Sequence, residues 1–184
     1  MSHRLVAFCL LLLPGCADNV PGPKSVTIRV ESIAPSGEIE YRIVNKSGRQ
    51  LCTSSLTSGR NVQENVFKYF DGTGSPLEIV KNSGLTESFN DRKYEEIVLE
   101  GDSSISSRAN VFDFFYFTRV GTYQFDISIP VFPCGDQEVA LITRDWEDAY
   151  GPEYLKERGV LFPVSPRYRH TVDNLETQRR NRSE

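Results

Sequence analysis

The stretch Gly121-Thr122-Tyr123-Gln124-Phe125-Asp126-Ile127-Ser128-Ile129 decides the fold class. Apolar residues stand at every second position, with polar ones between them. A period of two belongs to a half-buried β-strand, whose successive side chains leave on opposite faces; a helix needs a period near 3.6. Tyr123, Phe125, Ile127 and Ile129 are therefore expected to face inward. Pro130 and Pro133 end the run, because proline cannot donate to a strand ladder. The same alternation appears upstream in Val26-Thr27-Ile28-Arg29-Val30-Glu31 and in Glu38-Ile39-Glu40-Tyr41-Arg42-Ile43. Ser36-Gly37 and Asn45-Lys46-Ser47-Gly48 supply turns.

Further strands are expected at Gln50 to Ser55, Asn65 to Phe70, Leu77 to Val80 and Tyr94 to Glu100. Asp71-Gly72-Thr73-Gly74-Ser75-Pro76 is a loop, and Lys81 to Lys93 is polar. Ile105 to Phe117 is apolar-rich, with Val111-Phe112-Asp113-Phe114-Phe115-Tyr116-Phe117 crowding aromatics on both faces. Seven or eight short strands punctuated by turns predict an all-β fold, an immunoglobulin-like antiparallel β-sandwich over residues 25–143. Beyond it, Glu138 to Thr143 can add one strand. Gly151-Pro152-Glu153-Tyr154-Leu155-Lys156-Glu157-Arg158-Gly159 places Pro at the first helical position and Gly after the last, predicting a short helix. No periodicity is visible from Pro163 onward. Residues 144–184 therefore read as a short irregular or helical C-terminal arm, with a disordered tail over 167–184.

The chain opens with Met-Ser-His-Arg, then the apolar run Leu5 to Leu13, then Pro14-Gly15-Cys16. A positive start, a short apolar run and a small residue at a cut site are the anatomy of an export signal. Nine residues rise about 14 Å as a helix, short of the ~30 Å of a bilayer core, so the run does not span. Leu13-Pro14-Gly15-Cys16 resembles a bacterial lipobox, with Pro14 where a smaller residue is usual. It implies a signal peptide at 1–15, removed before Cys16, and lipidation of that cysteine. The thiol would carry a diacylglyceryl group and the freed amine a further acyl chain; several chains anchor stably where one would be marginal. Residues 16–24 then form the lipidated N-terminus and a Pro- and Gly-rich tether. The Ala17 that follows Cys16, in place of an Asp, points to the outer membrane, with the domain facing the periplasm.

Of the 4 cysteines in the 184-residue chain, Cys9 and Cys16 belong to the signal and the anchor. Cys52 and Cys134 remain. In an exported chain an even pair predicts a disulfide, closing a loop worth roughly 4 kcal/mol on the chain-entropy model; the competing reading is two buried thiols. The net charge of −4 is uneven. Residues 17–150 hold 13 Lys+Arg against 20 Asp+Glu, and residues 151–184 hold 7 against 5. No basic stripe runs through the chain, so nucleic acid is not an expected partner. The basic end, Gln178-Arg179-Arg180-Asn181-Arg182, reads as a solvated tail or as a contact to anionic headgroups or an acidic partner.

Two segments carry a family resemblance. Val44-Asn45-Lys46-Ser47-Gly48-Arg49-Gln50-Leu51 is similar to the strand, Asn, turn, apolar opening of an immunoglobulin-like module. Tyr94 to Ile105, continuing through Phe115-Tyr116-Phe117-Thr118-Arg119-Val120-Gly121-Thr122-Tyr123, resembles the "Y-x-x-L-x-P-G-x-S … Y-D-F-T-x-x-G-x-Y" run of the β-sandwich accompanying deuterolysin-type zinc metalloendopeptidases. The intracellular proteinase inhibitor family of bacteria shares this strand logic. The resemblance covers residues 25–130, with Glu100 where the family has Pro. It implies a fold and an association with peptidases. It transfers no catalytic residue, since the H-E-x-x-H motif is absent.

A nucleophilic triad needs a positioned histidine. The only one after Cys16 is His170, in the expected tail, where it reads as solvated. Asp71-Gly72-Thr73-Gly74 is a Gly-rich turn and not the D-T-G of an aspartic protease. Trp146, Tyr150 and Tyr154 are four residues apart, but Gly151-Pro152 breaks that helix, so they read as packing of the arm onto the sandwich. The expected function is a non-catalytic, membrane-anchored protein-binding or accessory module of the cell envelope. No cofactor, metal or small-molecule substrate is expected. The partners would be the membrane, through the anchor, and another envelope protein or a peptidase. The alternative is a periplasmic peptidase inhibitor that offers the loop Asn82 to Arg92.

Overall fold

The computed structural model of the chain describes residues 25–54, 66–78, 96–135 and 152–176. Among them, eight strands form three antiparallel sheets. Strands β1 (Val26–Ile33), β2 (Glu38–Asn45) and β6 (Ser104–Asn110) make the first sheet, in the order β1-β2-β6. Strands β4 (Phe67–Phe70), β7 (Gly121–Ile127) and β8 (Tyr168–Val172) make the second, in the order β4-β7-β8. Strands β3 (Leu51–Ser54) and β5 (Glu96–Leu99) pair separately as a short ribbon. The chain order 1-2-6 facing 4-7-8 is the A-B-E against C-F-G arrangement of the immunoglobulin sandwich.

The core lies between the two larger sheets. The four side chains expected to face inward from β7 and its extension do so: Tyr123, Phe125, Ile127 and Ile129 are all buried. Ile28 from β1, and Ile39, Tyr41 and Ile43 from β2, meet them from the opposite sheet. Aromatic rings knit the core: Tyr41 packs edge-on against Phe67 of the facing sheet at 5.7 Å, and Tyr69 stacks on its β7 neighbour Phe125 at 5.0 Å. Such offset and edge-to-face pairs add about 0.5–1.5 kcal/mol each beyond their burial.

Between β6 and β7 the strand pattern stops earlier than the apolar run suggests. Asn110 caps one turn of 3-10 helix, Val111–Asp113, with its side-chain oxygen accepting from the Phe112 N–H at 3.1 Å. The following loop turns Phe112, Phe114, Phe115 and Phe117 inward and leaves Tyr116 exposed. Tyr123 fixes the loop's exit by donating its hydroxyl proton to the Arg119 carbonyl at 2.8 Å. That bond, from an inward Tyr near a strand start to a carbonyl four residues back, is the tyrosine corner of immunoglobulin-like sandwiches.

Two ends of the sandwich can be told apart by register. Val26 pairs with Asn45, and Val44 with Ser104, at the end where the chain enters. Ile33 pairs with Ile39, and Glu38 with Asn110, at the far end. The far end is closed by Val111, whose N–H donates to the Gly37 carbonyl at 2.9 Å. Gly37 has φ +86, and a Cβ there would lie 2.8 Å from the Phe112 ring, so the tight β1–β2 turn needs glycine twice over.

The C-terminal region departs from the sequence reading. Residues 167–184 were expected to be a disordered tail outside a sandwich ending at 143, yet Tyr168–Val172 is β8, paired with β7 from Gly121↔Val172 to Phe125↔Tyr168. Tyr168 also accepts the Val30 N–H at 3.2 Å, beside the bulge in β1, so the last strand ties to the first. The sandwich therefore reaches Val172. The expected helix is present as α1 (Pro152–Glu157), followed by Gly159 at φ +80. The strand expected at Glu138 to Thr143 lies outside the described residues, as do the last two residues of Leu77 to Val80. The described part of the latter forms no strand; the Leu77 N–H donates to the Tyr69 carbonyl at 2.8 Å, next to a bridge at Phe70↔Pro76.

Candidate functional site

Cys52 and Cys134 are disulfide-bonded, with their Cα atoms 4.9 Å apart and a sequence separation of 82. Cys52 lies in β3, just beyond the Asn45 turn, at the end where the chain enters. It also exchanges both backbone hydrogen bonds with Phe132, at 2.7 and 2.9 Å. The bridge thus fixes the segment leaving β7 to the segment leaving β2. A small second core forms over it: Phe132, Leu155 and Val160 are buried against Cys52, with Phe162 and Cys134 partly covered. Val131 and Leu161 exchange hydrogen bonds at 2.9 and 2.8 Å and hold the returning strand in place. The arm that carries α1 is thereby stapled to the sandwich, as expected. Tyr154, 38% exposed, is not among the buried residues of this second core; Trp146 and Tyr150 lie outside the described residues.

Asn45 organises the turn beside the bridge. It is fully buried, and its amide donates to the carbonyls of Arg49 at 2.7 Å and of Leu99 and Glu100 at 3.1 Å each. Its oxygen accepts from the Ser47 N–H at 3.0 Å and the Ser47 hydroxyl at 2.7 Å. One side chain therefore satisfies carbonyls on both sides of the β3–β5 ribbon, which explains the Asn in the motif Val44 to Leu51. The two turns it joins touch backbone to backbone. A Cβ on Gly101 would lie 2.6 Å from the Gly48 carbonyl carbon, so glycine at 101 is required by contact. Glu100, which stands where the resembled family has Pro, supplies one of Asn45's carbonyl acceptors and accepts from the Gln50 amide at 3.1 Å.

His170 is 1% exposed, which corrects its reading as a solvated tail residue. It faces inward from β8, opposite Tyr123 in register. Its Nδ1 lies 3.0 Å from the Tyr69 hydroxyl. Phe112 stacks on the ring at 6.0 Å, and Phe117 meets it edge-on at 5.9 Å. Nε2 is buried without a hydrogen-bond partner among the described residues. Burial in this aromatic setting lowers the pKa of the imidazole, against an opposing pull from Asp173. Burial likewise pushes the Tyr69 phenol well above its usual range, and the Tyr41 phenol up to about 12. The pair is a neutral core contact. An imidazole so enclosed meets no substrate, so it offers no general base at the surface.

The outer face of the first sheet is polar. Glu31, Glu40, Arg42, Ser106 and Arg108 line a shallow open trough of about 650 Å³. Arg42 pairs with Glu31 at 3.4 Å, and Arg108 reaches both Glu40 and Glu38. All these groups are exposed, so each pair contributes on the order of 0–1 kcal/mol. Among the described residues no three His, Cys, Asp or Glu side chains gather to hold a metal, and no helix is long and apolar enough to cross a membrane. Cys16 and the loop Asn82 to Arg92 lie outside the described residues. Compared with known proteins, the chain matches no family model and no curated protein.

Sequence reasoning missed the burial of His170 and the structural part played by Asn45. For Asn45 the signal was the motif itself. For His170 it was the alternation of Tyr168, His170 and Val172 with Arg167, Arg169 and Thr171, a period of two that a polar inward residue conceals.

Proposed function

We propose that the chain is a lipoprotein of the cell envelope, lipidated on Cys16, whose sandwich is a non-catalytic protein-binding or accessory module on the periplasmic side of the outer membrane. The observation that carries this reading is a lipobox, Leu13-Pro14-Gly15-Cys16, ahead of a sandwich closed by the Cys52–Cys134 bridge. Disulfides persist in oxidising compartments, and export through a lipobox leads to one. The enclosure of His170 in the core supports a binding role over catalysis, because it is the only histidine after Cys16. The tyrosine corner at Tyr123 and the resemblance to the sandwich of deuterolysin-type enzymes support a domain that works beside a peptidase or another envelope protein.

The test is mass spectrometry of the mature protein. Expected is a chain starting at Cys16 and carrying acyl groups; Cys16→Ser should yield a soluble chain or an uncleaved precursor. A mature protein with an unmodified N-terminus at another residue refutes the anchor. Cross-linking in whole cells, followed by affinity capture, then identifies the partner. Recovery of a peptidase whose activity the protein suppresses would replace the accessory reading with that of an inhibitor.

A further inference from the structure

The geometry points to an orientation: we infer that the end of the sandwich carrying α1 and the disulfide rests on the phospholipid headgroup layer, with the far end presented outward. The inference rests on the proposed lipidation of Cys16. β1 begins at Val26, opposite Asn45, and the Ser25 carbonyl accepts from the Lys46 N–H at 2.7 Å. Ser25 lies nine positions after Cys16, a contour of about 30 Å. The acyl chains therefore hold this end, and not the other, within one tether length of the bilayer.

The same end exposes two apolar side chains, Val98 and Tyr154. β3 leads away from the Asn45 turn, and Cys52 in it bonds to Cys134. Directly opposite Cys52 in register is Val98, 43% exposed. On the other side of the bridge, Leu155 and Val160 seat α1 on the small second core, and Tyr154 projects from the helix with Arg158 5.9 Å above its ring. A tyrosine ring backed by an arginine suits the headgroup region, where one part of the pair is apolar and the other hydrated. The surface is not basic: Lys156 and Arg158 are balanced by Glu153 and Glu157. The contact is therefore interfacial and not coulombic. It need only be weak, because a short tether keeps the local concentration of bilayer in the millimolar range.

Hydroxyl-radical footprinting of the full lipidated chain in phosphatidylethanolamine vesicles tests this, against the soluble Cys16→Ser chain. Tyr154 and Val98 should react several-fold more slowly on vesicles. Tyr116 and Val120, exposed at 54% and 60% in the loop leaving the far end, should be unchanged. The protection should survive high salt, which screens charge but not apolar contact. Tyr154→Ser should leave the melting temperature unchanged and restore Val98 reactivity on vesicles. A chain that is acylated and pellets with vesicles, yet shows Tyr154 as reactive as in solution, overturns the orientation and leaves the anchor standing. Protection at Tyr116 and Val120 instead would put the opposite end on the membrane. An unacylated chain that stays in the supernatant refutes the anchor and the orientation together.

Discussion

The Tyr69–His170 pair makes the stability of the sandwich depend on pH, in a way that one double-mutant cycle can isolate. Tyr69→Phe keeps the ring that stacks on Phe125 and removes only the hydroxyl 3.0 Å from His170 Nδ1. A buried polar atom left without its partner costs about 1–3 kcal/mol. At about 2–4 °C per kcal/mol for a chain of this size, the melting temperature at pH 7.5 should fall by roughly 2–12 °C. His170→Leu in the Tyr69→Phe background should then cost less than the two single changes added together, since no polar group is left stranded. The pH dependence has a definite sign. Burial lowers the folded-state pKa of His170 below the unfolded value near 6.5, so the unfolded chain binds the extra proton more readily. Its contribution to stability is thus fully present above about pH 6.5 and is lost as pH falls from there toward the folded-state pKa, at about 1.4 kcal/mol per unit of separation. Asp71 lies outside this window, because its hydrogen bonds from the Thr73 hydroxyl and the Ser75 N–H hold its carboxyl below the usual range. Urea unfolding of the mature chain at pH 7.5, 6.5, 5.5 and 5.0 is the assay. Wild type should weaken on acidification, and His170→Leu should lose most of that slope. Equal slopes in the two proteins, or a Tyr69→Phe variant as stable as wild type at pH 7.5, would refute the reasoning.

Replacing both Cys52 and Cys134 by Ser should cost about 2–5 kcal/mol in urea unfolding and expose the arm at 152–160 to limited proteolysis, because α1 packs on the bridge and little else. Asn45→Ala strands the carbonyls of Arg49, Leu99 and Glu100 and should destabilise by about 2 kcal/mol or more; Asn45→Asp should do no better, since a carboxylate cannot donate to them. Gly101→Ala forces a Cβ onto the Gly48 backbone and should lower the melting temperature, at a cost of about 1–3 kcal/mol. Truncation after Pro166 removes β8, and with it the partner of β7 and the cover of Tyr69; circular dichroism should show loss of the cooperative transition. A truncated protein that melts like the full chain would return these residues to the status of a tail.

The sandwich was legible where its strands follow the simple rule that apolar faces in and polar faces out. β1, β2 and β7 all alternate without exception at their centres, and each was found to within a few residues. The disulfide was legible by elimination, because only Cys52 and Cys134 remain once Cys9 and Cys16 are assigned to the expected signal and anchor. β8 was not. Its inward positions are Tyr168, His170 and Val172, its outward ones Arg167, Arg169 and Thr171, and the composition is that of a solvated end. What makes the strand possible is a partner 101 residues away in sequence: the Tyr69 hydroxyl gives the imidazole somewhere to place a proton or a lone pair. A sequence pattern records the period of a strand, but the cost of burying a polar side chain depends on what it meets.

The same dependence on distant pairing governs the surface. Nothing in the sequence links Val98 and Tyr154, one in a strand and one in a short helix 56 residues on. They share an end of the molecule only because Cys52 is at once the register partner of Val98 and the disulfide partner of Cys134, while α1 packs over that bridge. The proposed lipidation of Cys16 would place a membrane near the start of β1, and register places the start of β1 at this end. Neither observation alone orients the domain. Together, on the proposed anchor, they give the two ends different surroundings, with the far-end loop around Tyr116 and Val120 turned away from the membrane.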